Sequence, residues 1–223
     1  MKKVVLFIAL VLGLASSRQA VGAGPRWGAR VSYELACPGD VKFNKMLKGD
    51  VFGNNSGLSF GVVYNMPMFF NLYFEPGLSL YYNTYSMNKD AVNGAFASDP
   101  ELAGLKASSA SVRMWGLRLP LNVGYKFTVL PALQLSLFTG PEFCLGLSAK
   151  SHLKVSSLTV SESEYGKDGP LNRPDVKWRF GVGATFMDHF YGAVSGAVGM
   201  CDQVKDDYKM KSNLFDITVG YNF

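Results

Sequence analysis

The chain has 223 residues, 48% of them apolar and 13% aromatic, with a formal net charge of +5. Mean hydropathy is only +0.09, so the apolar residues do not lie in the long blocks of a helical membrane protein. The length suits one domain, and no basic stripe points to nucleic acid.

The first residues read as an export signal. Lys2 and Lys3 give a positive start, Val4 to Ala15 an apolar run, and Val21-Gly22-Ala23 a small-residue cleavage site. The run of about 12 residues is too short for a spanning helix, which needs roughly 20, and no Cys follows closely enough for a lipid anchor. Residues 1–23 are therefore expected to be a cleaved signal peptide, with Ala20 an alternative end, and 24–223 the mature domain. Lys2, Lys3 and Arg18 leave with the signal, so the mature net charge is about +2.

Eight segments then alternate at period two, near 26–36, 57–66, 71–85, 112–127, 132–147, 174–187, 189–200 and 212–223. In the third, Leu72, Phe74, Pro76, Leu78, Leu80 and Tyr82 oppose Tyr73, Glu75, Gly77, Ser79, Tyr81 and Asn83. In the fourth, Leu117, Leu119, Leu121, Val123 and Tyr125 oppose Gly116, Arg118, Pro120, Asn122 and Gly124. In the fifth, Leu133, Leu135, Leu137 and Phe143 oppose Gln134, Ser136, Gly140 and Glu142. The last sets Phe215, Ile217, Val219, Tyr221 and Phe223 against Asp216, Thr218, Gly220 and Asn222. The seventh alternates poorly from Tyr191 to Met200, because Gly192, Gly196 and Gly199 weaken its faces.

A soluble sandwich also alternates. Two features select a membrane barrel instead. One face is large and apolar while the other is rich in Gly, Ser and Asn with scattered charges, as a lipid-facing wall and a crowded lumen require. Connections also alternate in length: those near 37–56, 86–111, 148–173 and 201–211 are long, and those near 67–70, 128–131 and 188 very short. Long outer loops and short periplasmic turns produce that order. Backbone groups facing lipid must be paired, so the sheet must close, and an eight-stranded ring leaves an interior that side chains fill. The predicted fold is all-β: an eight-stranded antiparallel up-and-down transmembrane β-barrel. Tyr82 and Tyr85 at one end, and Tyr125, Phe127, Tyr221 and Phe223 at the other, read as aromatic girdles.

Two stretches carry a family likeness. Arg118-Leu-Pro-Leu-Asn-Val-Gly-Tyr-Lys-Phe127 resembles the mid-barrel strand of the outer-membrane β-barrel family that includes the PorT-like proteins of Bacteroidota. Phe215-Asp-Ile-Thr-Val-Gly-Tyr-Asn-Phe223 resembles the terminal strand of outer-membrane barrels, which ends in an aromatic read by the barrel-assembly machinery. The resemblance implies residence in the outer membrane of a Gram-negative cell and an assembly signal at Phe215, Tyr221 and Phe223. One branch of that family is linked to protein secretion.

Parity places Arg30, Glu34, Glu75, Arg118, Glu142, Arg179 and Asp216 in the lumen, three cations against four carboxylates. Buried charges require partners, so a structural network is expected, with Arg118 and Arg179 pairing to Glu75 and Glu142. A selective pore would carry one sign of charge. Cys37 and Cys201 fall at the outer rim, on either side of the eighth strand, and a disulfide requires Cα atoms within about 7 Å. Cys144 has lumen parity. Ser151 and His152 are adjacent and point to opposite sides of a strand, and His189 lies at the periplasmic end, so no enzyme, cofactor or metal site is expected. The loop acids Glu162, Glu164 and Asp168, or Asp202, Asp206 and Asp207, lack the ordered spacing of a calcium loop.

Three functions fit this reading: an interaction barrel whose outer loops meet surface partners, a small ion or solute channel of porin type, and a secretion accessory, the last on resemblance alone. Outer-membrane lipid and the assembly machinery are the expected general partners. Gly28, Gly61, Gly77, Gly140, Gly181 and Gly183 have lumen parity and either leave space for a channel or make room for Tyr73, Tyr81 and Phe138.

Overall fold

A computed structural model of the chain describes residues 24–38, 52–87, 107–155, 158–166, 171–203 and 211–223, together with 93, 97 and 169. The expected signal at 1–23, and Asp168, Asp206 and Asp207, lie outside them. The strands are β1 (Arg26–Pro38), β2 (Phe52–Pro67), β3 (Leu72–Met87), β4 (Ala107–Leu130), β5 (Leu133–Val155), β6 (Leu158–Ser163), β7 (Pro174–Phe186), β8 (Phe190–Gly199) and β9 (Ser212–Asn222). Each pairs antiparallel with its neighbour. The β4–β5 ladder and the β1–β9 ladder close the sheet into a ring of eight. No lateral edge of the ring is left to face lipid.

β6 is a strand beyond the eight expected. Among the described residues it pairs with the end of β5 alone, from Lys150↔Ser163 to Val155↔Leu158, while β7 pairs with β5 lower down, from Leu133↔Phe186 to Leu145↔Pro174. β4 and β5 are also much longer than expected, 24 and 23 residues, so parts of the expected loops at 86–111 and 148–173 are strand. The sequence pattern hid this because the ladder shifts register between Trp115↔Ser148 and Gly116↔Gly146. Leu147 is the extra residue of a bulge, which flips the inward parity of β5 from Cys144 and Gly146 to Ala149. Above it, β4, β5 and β6 form a three-stranded sheet that projects past the ring.

The outward positions are apolar and accessible, including Val31, Phe60, Leu80, Leu119, Leu137, Val182, Val194 and Ile217. A continuous apolar exterior of this kind marks a surface that meets lipid. Tyr33, Tyr82, Trp115, Phe143, Trp178 and Phe215 point outward toward the end with long connections, and Trp27, Tyr125, Phe127, Phe190 and Tyr221 toward the other. Rings of this type favour headgroup level. Tyr85 is a correction: it shares parity with Tyr81 and Asn83 and packs inward against Ala36, Ala197 and Leu214.

The doubtful seventh segment, β8, has a definite register. Ala193, Ser195, Ala197 and Gly199 face inward and are buried, while Val194 and Val198 face out. Gly196 therefore lies on the lipid side, opposite Phe180 of β7, and the Phe180 ring covers it. Two short turns have both central residues at positive φ, Phe70 and Asn71 at 53° and 61°, Met187 and Asp188 at 49° and 62°. That is the type I′ geometry whose twist matches a hairpin.

Candidate functional site

The lumen is where polar and charged side chains from the strands of the ring meet. Glu34 (β1), Glu142 (β5) and Asp216 (β9) are fully buried, and Arg118 (β4) is 3% exposed. Arg118 forms a two-pronged pair with Glu34, Nη1 to Oε1 and Nη2 to Oε2, the second at 2.9 Å. Its Nε lies 3.4 Å from Glu142 Oε1. Glu142 Oε2 lies 2.8 Å from Arg179 Nε (β7), and Arg179 Nη2 donates to Asp216 Oδ2 at 2.7 Å. The Ser195 (β8) hydroxyl donates to Asp216 Oδ1 at 2.8 Å, and that of Thr218 does so at 3.0 Å. Asn83 (β3), with its amide nitrogen turned toward Glu34, donates to Oε2 at 3.0 Å, and Ser59 (β2) hydrogen-bonds the same carboxylate. All eight ring strands thus contribute to one cross-linked layer that spans the barrel interior.

A second layer lies toward the short turns. Arg30 Nη2 meets Glu75 Oε2 at 3.5 Å and donates to Asn222 Oδ1 at 2.8 Å. Asn65 donates to Glu75 at 2.9 Å and accepts from Lys126 Nζ at 2.8 Å. Arg30 stacks over Tyr191 at 4.0 Å and Lys126 over Tyr73 at 4.9 Å. Tyr73, Phe138 and Ala193 form a buried apolar cluster beside them, with Phe138 occupying the space that a side chain at Gly181 would need. A third layer lies toward the long connections: Lys177 contacts Asp175 at 3.7 Å and Ser212 at 3.1 Å, and Gln203 donates to Asp175 at 2.7 Å.

All seven lumen charges named from sequence face inward, but one expected pairing differs. Arg118 and Arg179 both meet Glu142, yet neither meets Glu75. In the ladder Glu75 is opposite Asn122, while Arg118 is opposite Ser79. This sets Glu75 four residues, roughly 13 Å of strand, below Arg118, within reach of Arg30. Lys126, Asp175 and Lys177 were missed. Strict parity identifies them, since Lys126 follows Asn122 and Gly124, and Asp175 and Lys177 precede Arg179, at steps of two. With them, the described residues place five cations and five carboxylates in the lumen, with no excess of either sign among them.

The space left between layers is small. A cavity of about 60 Å³ lies between Arg30, Ser59, Glu75, Arg118, Asn122 and Tyr191, and one of about 20 Å³ between Tyr81, Cys144, Tyr165 and Gln203. These hold a few water molecules at most. Tyr165 follows β6 and folds back over the wall, 7% exposed. Its ring lies where a side chain at Gly146 would sit, and Arg173 stacks on it at 5.1 Å. Burial, then the neighbouring Tyr85, pushes its hydroxyl up to about 12, so it is a neutral stopper at the outer mouth.

Cys144 is a buried free thiol and Cys201 an exposed one; the Cys37 side chain lies outside the described residues. His152 Nδ1 is 2.8 Å from Ser161 Oγ, not paired with Ser151. His189 Nδ1 is 2.7 Å from the Asn222 carbonyl, and its ring stacks on Tyr221 at 5.3 Å. Phe215, Tyr221 and Phe223 all point outward, and the Phe223 N–H donates to the Trp27 carbonyl at 2.9 Å.

An apolar, girdled exterior around a cross-linked polar interior defines an outer-membrane β-barrel protein. The profile of the outer membrane protein beta-barrel domain matches residues 17–202, and the chain belongs to that family. No curated protein matches it by sequence. Among solved structures it is similar to Ail, the attachment invasion locus protein of Yersinia pestis, in complex with the heparin analogue sucrose octasulfate. That match has 13% identity and TM-score 0.43, covering 90% of this chain and 100% of Ail. Neisserial surface protein A is similar at 11% identity and TM-score 0.43, covering 90% and 98%. The translocator domain of the autotransporter NalP from Neisseria meningitidis matches at 11% identity and TM-score 0.36, covering 99% and 96%. At these values the likenesses carry no functional argument.

Proposed function

We propose that this protein is an interaction barrel: a sealed membrane anchor that presents the projecting β4–β5–β6 sheet and its neighbouring loops to partners at the cell surface. The observation that carries the reading is the central layer from Glu34 through Arg118, Glu142 and Arg179 to Asp216, which closes the lumen with side chains from all eight ring strands. A solute path would need those pairs to separate, and a buried ion that loses its partner is costly. What remains to act is what the anchor displays. β6 lies at the end of the strand order, with β5 its only strand partner among the described residues. Such an edge can accept a further strand from another chain. Phe215, Tyr221 and Phe223 serve assembly in this reading, as the outward aromatics of the closing strand.

Shortening the projection tests this. A variant whose β4–β5 hairpin ends near Trp115 and Ser148, without β6, is expected to fold and insert. It should lose the cross-links that a photoreactive group at Ser161 makes on intact cells, and leave uptake of small solutes unchanged. Altered solute uptake in the shortened variant, with no cross-links from Ser161 in the full-length chain, would overturn the reading in favour of transport.

A further inference from the structure

Among the described residues, one face of the projecting sheet carries a single charge sign. Across the β4–β5–β6 ladder, Arg113 is opposite Lys150, Ser111 opposite His152 and Ser109 opposite Lys154, while Ser163 and Ser161 continue the rows on β6. Cross-strand partners share a face, as do alternate residues along a strand. These residues therefore cover one side of the sheet, and among the described residues that side carries no carboxylate. Glu162 has the opposite parity, with Val112 and Ala149, which are buried on the inner side. Next to the basic row, β3 adds Thr84 opposite Arg113 and Ser86 opposite Ser111.

This side is the upward continuation of the lipid-facing wall. Trp115, 44% exposed, belongs to the outer girdle, and Arg113 is the next outward residue of β4, about 7 Å further along the strand. Arg113 and Lys150 thus sit just beyond the aromatic ring, at the height of the outer-leaflet headgroups. Both are exposed, and among the described residues neither makes an ion pair. Like charges directly opposite across a ladder are unfavourable. An anion held between them converts that repulsion into two attractions, and Arg is suited to a two-pronged grip on phosphate.

We propose that this face binds the phosphate groups of anionic outer-leaflet lipids, with one phosphate between Arg113 and Lys150 and the contact extended outward by His152 and Lys154. The occupant is a lipid because the row is continuous with the membrane belt and begins at headgroup height. The inference goes beyond the interaction reading and does not depend on it: lipid held here would fix the sheet at the membrane surface whatever its edge meets.

The test uses the mature chain refolded into phosphatidylcholine nanodiscs containing a small fraction of bisphosphorylated lipid A, or of the same lipid with its phosphates removed. Lipid retained per barrel is read by native mass spectrometry. Each basic residue near an anionic surface is worth roughly a fivefold change in affinity, so Arg113→Ser with Lys150→Ser should weaken retention about 30-fold. Lys150→Ser alone should weaken it about fivefold, and Arg113→Lys should keep most of it. Removing the phosphates should bring the unaltered chain down to the level of the double variant. Heat-modifiable gel mobility reports folding, and every variant should keep it, because both positions are exposed and only solvent-side groups change. Equal retention by the double variant, or equal retention of the dephosphorylated lipid, would overturn the proposal. So would binding of a soluble sulphated oligosaccharide in lipid-free micelles with the same dependence on these two residues, which would assign the face to a polysaccharide.

Discussion

Replacing Arg118 by alanine is expected to destabilise the folded barrel by about 3–5 kcal/mol, the usual cost of removing one member of a buried ion pair. Arg118 is held by two fully buried carboxylates, Glu34 and Glu142. Arg179 remains on Glu142 after the change, but Glu34 keeps only the neutral donors Asn83 and Ser59. The loss therefore comes mainly from stranding Glu34. It follows that Arg118→Met combined with Glu34→Leu should recover most of the stability, because replacing a whole buried pair by apolar groups of similar size is often neutral. Urea titration of the refolded protein, scored by heat-modifiable mobility, measures both. A double variant as weak as Arg118→Ala would show that the pair is not the unit that matters.

Leu121→Arg is expected to cost about 2–4 kcal/mol, the penalty for a cation at the bilayer midplane on a lipid-facing strand position. Leu121 lies on β4 midway between Trp115 of the outer girdle and Phe127 of the inner one, between Leu119 and Val123, which are both outward and exposed. The same change at Val129, exposed beside the short turn, should cost at most about 1 kcal/mol, since the penalty fades toward the interfaces. Equal costs at the two positions, measured by the same urea titration in lipid, would contradict the placement of the membrane on this wall.

Most of the ring could be read from the sequence because lipid and lumen make opposite demands on neighbouring residues. Leu117 to Tyr125 against Gly116 to Gly124 is such a case, and the assigned faces match the exposure found there. Where the pattern failed, a local cause is visible. β8 was ambiguous because its outward face holds Gly192 and Gly196, and the Phe180 ring that covers Gly196 belongs to another strand. The upper half of β5 escapes the period-two pattern because the bulge at Leu147 reverses parity, and above the membrane no lipid enforces an apolar face. Tyr85 suits a girdle by residue type, but its odd position, shared with Tyr81, puts it inside.

The lumen charges were legible for the same reason of parity, but their pairing was not. Pairing depends on how far each strand is staggered against its neighbours, and that stagger comes from ring closure rather than from any one strand. Glu75 illustrates it: on its own strand it is only an inward carboxylate, and the ladder with β4 sets it four residues below Arg118. The basic face of the projecting sheet was invisible for a related reason. Arg113 lies far in sequence from Lys150, and only the register brings them opposite each other.

The central claim is that the lumen is a plug of paired side chains. Single-channel recording tests it most directly, with the mature chain refolded, shown to be heat-modifiable, and inserted into a planar bilayer. A silent, fully inserted barrel is the expected result, with conductance appearing only when the central layer is opened, as by Arg118→Ala with Arg179→Ala. Stable conductance steps from the unaltered chain, changed in size by substitution at Arg118, would contradict the account and make the same layer a gate.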